Sequence, residues 1–561
     1  RYNEDFGGLL NLTDRTSTET ISAGLQGTLF DEFNWELYYT HGEGRVQQVT
    51  HDNVNTQRMY AAIDAVKDLR TGNIVCRVSI TAPGAYPGCV PMDILGDGAP
   101  SQAAINYVNG TTQWKAINTL DDVGANITGT VFDNWAGPVK MAVGAEYRLQ
   151  SLVETSSVDD NTFNIQNLRV GLDGNTTSPG ALQWTKNVTS PMHGAESVYE
   201  GDVEIDAPLL RDLPLIQSLD FNGAGRYTQY STSGQAETWR VGLQWRPIDD
   251  LRFRATRSRD IRAPTLYDLF QNQSSQIGGL VDYLTHTGGS VLNILGGNPN
   301  LVPEVARNTT AGFVYTPGWM PNVMLSIDYY HSVVDNAIAT VSGSATATQQ
   351  ICINSGGMSP LCNLVVRPYP VTDATPANYP TLNYNVKQNV ALVYAEGIDF
   401  TADYAADLSK IGWRGTLVLQ LLWSHQPVLK NQTLPGTTII NVAGTSQTPK
   451  DRASLQAQYT WGALSISLLE RYYGSFHFSG NPSLVEAYSL PAYWQTDIDL
   501  SYRFVLAGQP VTGFLNVNNL LNSFGANCCA FTNNPGMQYP VASFTDRIGR
   551  YFVLGMRFNT H

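Results

Sequence analysis

Charge is scarce in this chain. Only 15% of its residues are Asp, Glu, Lys or Arg, against roughly 25% in an ordinary soluble domain, so the surface is not built to be solvated on every side. Long apolar runs are missing too: the longest, such as Leu417–Trp423, fall far short of the roughly 18 residues that a membrane-spanning helix needs. That excludes a helical membrane protein. The net charge of −14 is the reverse of the basic footprint that nucleic acid demands, and no nucleic-acid partner is expected. No Pro/Ser-rich linker, charge block or change of texture divides the 561 residues, which favours one continuous architecture over the three or four domains, roughly, that such a length allows. Catalytic signatures are missing as well, with no HExxH, GxSxG, P-loop or helix-opening GxGxxG. The eight histidines are scattered; His41 and His331 read as girdle or loop residues, and the adjacent acids Asp121/Asp122 and Asp159/Asp160 as solvated pairs or weak Ca²⁺ contacts rather than a general acid–base couple. The chain is not expected to be an enzyme, and no metal or cofactor is implied.

What is present is enough apolar matter to fold, 42% hydrophobic and 10% aromatic, which rules out disorder. The first residue is Arg1, with neither Met nor a signal peptide, so the chain reads as a mature or trimmed product. Six cysteines fall as Cys76/Cys89, Cys352/Cys362 and Cys528/Cys529. Each couple is close in sequence and turn-rich in surroundings, the pattern of local loop staples formed in an oxidising compartment. A vicinal bond between Cys528 and Cys529 is geometrically strained, so unpaired or differently paired thiols stay open there.

The repeating signal is alternation. Along Trp494–Phe504 one face carries Trp494, Thr496, Ile498, Leu500, Tyr502 and Phe504 and the other Gln495, Asp497, Asp499, Ser501 and Arg503, a period of two with an apolar and a polar side. The same dyad runs through Val139–Gln150, and recurs at Phe33–Thr40, Val323–Tyr330, Ala453–Trp461 and Arg547–Phe558. Several segments alternate over about 11 to 15 residues, longer than the usual strand of about 5 or 6 and right for a tilted membrane crossing. Aromatics at the ends of the apolar faces fit interfacial girdles. The expected fold is therefore all-β, a transmembrane antiparallel β-barrel with about 17 strands in this chain.

The connections sort by parity. One set, near Phe30–Glu32, Asp133–Gly137, Leu209–Leu215, Pro247–Asp249, Pro317–Pro321, Asp407–Gly412, Trp461–Gly462 and Ala507–Gln509, is short and reads as periplasmic. The other set, including residues 50–110, 157–193, 259–302, 336–382, 425–449, 475–492 and 524–542, is long and reads as extracellular, with Thr232–Gly234 its one short member. All six cysteines fall in the long set, although they played no part in assigning the strands. An odd count leaves Arg1 at the extracellular end of its strand, so an odd number of strands is expected upstream.

Ordered local motifs then resemble the TonB-dependent outer-membrane receptors: Leu251–Pro264 (LRFRATRSRDIRAP) followed by Leu266–Phe270 (LYDLF), Asn298–Glu304 (NPNLVPE), Leu325–Tyr330 leading to Asn336–Ile338, Glu396–Phe400 (EGIDF), Asn516–Asn522 (NVNNLLN) and the closing Gly549–Phe558. Upstream, Gly88–Asp93 and Gly137–Tyr147 look like the large proteobacterial branch of that family. The resemblance implies a 22-stranded barrel closed by an N-terminal plug that carries the TonB-binding box. On that count the first strand here is about the sixth of 22, so residues 1–561 are expected to be an N-terminally incomplete barrel domain, with plug and TonB box absent. The tail Asn559–His561 departs from members that stop at the terminal aromatic. The implied function is uptake of a scarce nutrient, an oligosaccharide or a ferric siderophore, driven by TonB; a passive porin-like channel, or a structural subunit of a surface assembly, is the alternative. The implied partners are outer-membrane lipid and lipopolysaccharide, TonB through the missing plug, and a surface lipoprotein or other outer-membrane subunit.

Candidate cargo-binding residues lie on the long connections. Alternation puts Arg252, Arg254 and Thr256 inward and places Arg257, Arg259 and Arg262 above the membrane, where Arg259 and Arg262 could clamp an anionic cargo or instead bind lipopolysaccharide phosphates or tie the loop. Tyr267, Tyr283 and Tyr369, with Phe270 and Tyr379, could stack on sugar rings. The inward charges Glu146, Arg148, Arg252, Arg254, Asp497, Asp499, Arg503, Arg547 and Arg557 read mainly as paired or hydrated wall residues.

Overall fold

The computed structural model describes residues 11–96, 98–158, 168, 183–186, 191–477, 489–525, 527–528, 539–540 and 544–558. Seventeen strands form an antiparallel meander in which each pairs with its neighbours in sequence: β1 Asn11–Leu29, β2 Phe33–Val54, β3 Asn109–Asn134, β4 Gly137–Ser156, β5 Met192–Leu213, β6 Ile216–Tyr230, β7 Gly234–Ile248, β8 Leu251–Arg262, β9 Glu304–Tyr315, β10 Val323–Ser342, β11 Leu382–Asp407, β12 Thr416–Gln432, β13 Asp451–Trp461, β14 Leu464–Tyr473, β15 Tyr493–Leu506, β16 Gln509–Asn518 and β17 Tyr551–Phe558. Four short strands from the connections join the same 21-stranded sheet. Among the described residues β1 pairs only with β2 and β17 only with β16.

Alternation is what makes the sheet. On β15 Ile498, Leu500 and Tyr502 oppose Val517, Leu515 and Gly513 of β16, while Asp497 and Asp499 point to the other side with Asn516. Exposed Leu25, Leu37, Tyr199, Val203, Leu243, Trp245, Leu554 and Phe558 make sense only where the surrounding solvent is itself apolar. The opposite side of the wall is a ladder of charge. Arg148 contacts Glu146 at 2.7 Å and Glu200 at 3.6 Å, and Arg226 bridges Glu200 at 3.3 Å and Asp202 at 3.6 Å. Arg254 donates to both oxygens of Asp328, at 2.8 and 2.5 Å, and Arg471 pairs with Asp497.

The short connections are tight turns, as expected. Ala507 and Gly508, both at positive φ (51° and 79°), join β15 to β16, the geometry whose twist matches antiparallel strands. Gly508 supplies the left-handed conformation without a side-chain penalty. Strand length is where the structure departs from the sequence reading. β2 and β3 stay paired from Phe33↔Gly129 to Val54↔Asn109, well beyond the alternating Phe33–Thr40. Above the lipid both faces are wetted or loop-covered, so side chains stop alternating although the backbone ladder continues. Likewise β8 runs to Arg262 before Pro264, which cannot continue the ladder, and places Arg257 and Arg259 on the strand wall. β17 starts at Tyr551, leaving Arg547 in the connection.

Candidate ligand-binding face

Two packed lobes stand on the long-loop end of the sheet. The first is built from helices Thr56–Ile63 and Gln102–Val108, whose Ala62, Ile105 and Val108 share a small core with Met92. The Cys76–Cys89 bond, with Cα atoms 6.2 Å apart, closes its loop. Buried Asn53 fastens this lobe to Lys186 through both ends of its amide, accepting from Lys186 N at 2.9 Å and donating to Lys186 O at 3.2 Å.

The second lobe joins residues 263–303 to residues 343–381. A hairpin, Ser274–Val281 with Gly288–Gly296, leaves the first connection, and its second strand runs parallel to the upper end of β11, Leu292↔Leu382 through Gly296↔Val386. At the hairpin tip, Asp282 receives both guanidinium nitrogens of Arg367, at 2.8 and 2.5 Å, and Thr285 N and Oγ1 at 3.1 and 2.6 Å. Their side chains are only 7% (Arg367) and 0% (Asp282) exposed. Burial alone would raise the Asp282 carboxyl, but the guanidinium and the Thr285 bonds outweigh it and hold the group below the usual carboxylate range. Gln349 accepts from Tyr283 N at 2.7 Å and donates to Val281 O and Ser344 O. Tyr379 Oη donates to Leu280 O at 2.7 Å, and Asn383 to Asn293 at 2.6 Å. The Cys352–Cys362 bond, Cα atoms 4.9 Å apart, closes the other half. Cys529 lies outside the described residues; of Cys528 only the backbone is described, in the short strand Asn527–Cys528 paired with Tyr539–Pro540.

The lobe is hung from β8. Arg262 donates to both oxygens of Glu304, at 2.8 and 2.6 Å, and Glu304 also accepts from Ile338 N at 2.6 Å, so one ion pair fixes the tops of β8, β9 and β10. Thr265 and Asp268 form a reciprocal capping box on helix Leu266–Phe270, with Asp268 lying 3.9 Å from Arg262 and 3.8 Å from Lys387. Tyr267 is on that helix; burial first, and then the Glu154 carboxylate, raise its phenol above the ordinary value.

The five residues anticipated for cargo thus divide. Arg262 and Tyr267 flank the root of the second lobe, Tyr283 and Tyr369 sit on the lobe itself, within two residues of the Asp282–Arg367 pair, and Arg259 is on the opposite face of β8 from Arg262. Tyr267, Tyr283 and Tyr369 are 41%, 42% and 51% exposed. The sequence reading did not find Asp282, Gln349 or Arg367, whose partners lie some 66 to 85 positions away; no local pattern marks them.

A family description, TonB dependent receptor-like, beta-barrel, matches residues 1–520. The chain belongs to that family. As a TonB-dependent receptor barrel it is an outer-membrane protein. Solved barrels share its fold: a mutant ferric enterobactin receptor of Pseudomonas aeruginosa in complex with enterobactin (14% identity, TM-score 0.50, 96% of this chain and 78% of that one), the siderophore receptor PirA of Acinetobacter baumannii (12%, 0.50, 98% and 72%) and the ferric-catecholate import receptor Fiu of E. coli K12 (12%, 0.52, 97% and 64%). No curated protein matches the sequence. The membership places the apolar face of the sheet in lipid, the charged ladder inside, and both lobes at the cell surface.

Proposed function

We propose that this receptor captures a scarce nutrient, a ferric siderophore or an oligosaccharide, between its surface lobes and passes it to the periplasm with energy delivered by TonB. The observation that carries this reading is the second lobe: two connections bound by a buried ion pair and a parallel strand pairing, one of them closed by a disulfide, presenting exposed Tyr283 and Tyr369 on the lobe and Tyr267 at its Arg262-anchored root. A preorganised aromatic surface loses little entropy when it stacks on catecholate or sugar rings. A barrel of about 20 or more strands is too wide for its own side chains to fill, so a plug seated on the charged inner ladder belongs to the proposal.

The test is uptake of labelled ferric siderophores and oligosaccharides by cells producing the whole receptor, with and without a proton-motive-force uncoupler. Saturable uptake that the uncoupler abolishes supports the reading. Uptake indifferent to the uncoupler would instead make the protein a passive channel, and absence of both uptake and surface binding across the panel would leave a structural role.

A further inference from the structure

The root helix Leu266–Phe270 leaves the top of β8 but does not stay above it. Leu266 packs on buried Ala116 of β3, Leu152 of β4 and Met192 of β5, and the ring of Phe270 lies so close over Gly194 of β5 that a Cβ there would fall 2.4 Å from it. Cross-strand register puts all four wall residues on the lumen face, the face of Glu146 and Arg148. The helix therefore reaches past β7 and β6 and lies inside the mouth, against the inner wall of β3–β5. Its seat is apolar.

One group in that seat is out of place. Glu154 lies four positions beyond Gln150, where β4 has risen above the lipid, with Ala116 and Met192 as its two register partners. Its Oε2 is sealed from solvent and has no hydrogen-bond partner, and no cation is paired with it among the described residues. Neighbouring charges are engaged elsewhere: Glu196 of β5 accepts from Thr232, Arg148 of β4 pairs with Glu146 and Glu200, and Asp268 of the helix faces Arg262 and Lys387. From β3 the same face brings Trp114 and Ala116, and from the helix comes Tyr267, close enough for its phenol to feel the carboxylate. An ionised carboxyl covered in this way is costly, and a neutral one far less so.

We propose that Glu154 is a proton-operated latch on the lumen mouth: with its carboxyl neutral the root helix lies against the inner wall, and with the carboxyl ionised the helix lifts, uncovering the strip Ala116, Leu152 and Met192 and widening the entrance. The apolar seat and the orphan charge pull in opposite directions, which is what a two-state element needs. Covered by the helix, the carboxyl is pushed up by burial alone, so the docked state holds the proton more tightly than the lifted one. Docking is therefore at full strength below the ordinary glutamate value of about 4.3 and is lost as pH rises through the docked value. The Asp282–Arg367 pair has the opposite sign, so the lobe itself stays intact while its root loosens. The device is indifferent to which cargo the receptor carries.

The test measures helix position in the whole receptor, by pulsed electron resonance between nitroxides placed at exposed Asn272, just past the helix, and exposed Thr155 on β4. A second, longer distance is expected, its share growing at least about threefold between about pH 4 and pH 8. Glu154→Gln, neutral at every pH, should hold the short distance throughout, and Glu154→Leu, which extends the apolar seat, should do the same by different chemistry. The heat-dependent gel mobility of a folded barrel serves as the control for each variant. A distance distribution in the parent that ignores pH overturns the latch whether or not either variant folds, and a folded Glu154→Gln receptor that follows the parent's pH profile assigns the response to another group and overturns the role of Glu154.

Discussion

Asp282 shows how one side chain can govern a surface lobe. Its carboxylate is fully buried and meets Arg367, Thr285 Oγ1 and a backbone amide, so removing its charge strands a buried guanidinium. Asp282→Asn is expected to cost the lobe about 3–5 kcal/mol, seen as faster amide exchange and proteolysis across residues 278–296 with strands β8–β11 unchanged. The pH dependence has a definite sign. Because the native pKa lies below the unfolded value of about 3.9, the pair contributes its full stability above about pH 4 and loses it only as pH falls through the native pKa. Amide exchange in the lobe should therefore be flat from about pH 5 to 8, once corrected for intrinsic rates, and rise in acid. Arg254 is the contrast: its bond to Asp328 is as short, yet its side chain is 46% exposed, and Arg254→Ala should cost about 1 kcal/mol or less in urea unfolding of the folded barrel.

At the scale of elements, the C-terminal end of the helix that carries Tyr267 is seated against the backbone of residues 297–298. Gly297 N donates to Gln271 O at 2.9 Å and Asn298 N to Asp268 O at 2.9 Å, and a Cβ on Gly297 would fall 2.6 Å from Leu269 O and 2.7 Å from Gln271 N. Neither contact can swing away, so Gly297→Ala must push the helix off its seat, at about 1–3 kcal/mol; the readout is weaker cargo binding with unaltered barrel mobility on gels. The Cys352–Cys362 staple acts on one connection only. Cys352→Ser should remove about 2–4 kcal/mol from that connection, loosening residues 346–366 in exchange experiments and leaving the lobe at residues 55–108 as it was. These elements also mark where sequence became illegible. Strands β4 and β15 could be read directly because a wall between two solvents forces every second side chain to change character. The parallel pairing of residues 292–296 with 382–386 had no such signature, since its partners lie about 90 positions apart and meet where both faces are covered by protein. The two disulfides were legible because each closes a short local loop.

Across the whole molecule, the number of strands and the sorting of turns from long connections follow from one physical rule, that a chain in lipid must satisfy its backbone within a sheet and can be irregular only outside it. That rule predicts sidedness. A cysteine placed at Tyr369 should react with a membrane-impermeant maleimide on intact cells, and one placed at Trp461, beside the Gly462 turn, should react only after the outer membrane is permeabilised; the reverse pattern would invert the topology. The inner charges are ordered by the same wall. Arg148, Glu200 and Arg226 pair along strands that are continuous, so each ion pair crosses a register already fixed by backbone bonds.

The length of β2 and β3 has a consequence for encounter. Twenty-two residues in β2, at about 3.3 Å each and tilted by about 40°, rise roughly 55 Å, and an apolar band takes only about 25 Å of that. The remaining 30 Å or so is a rigid parapet. A bacteriophage or an antibody approaching the cell therefore meets folded, disulfide-stapled protein before it meets lipid, and the epitopes on offer are the lobes themselves.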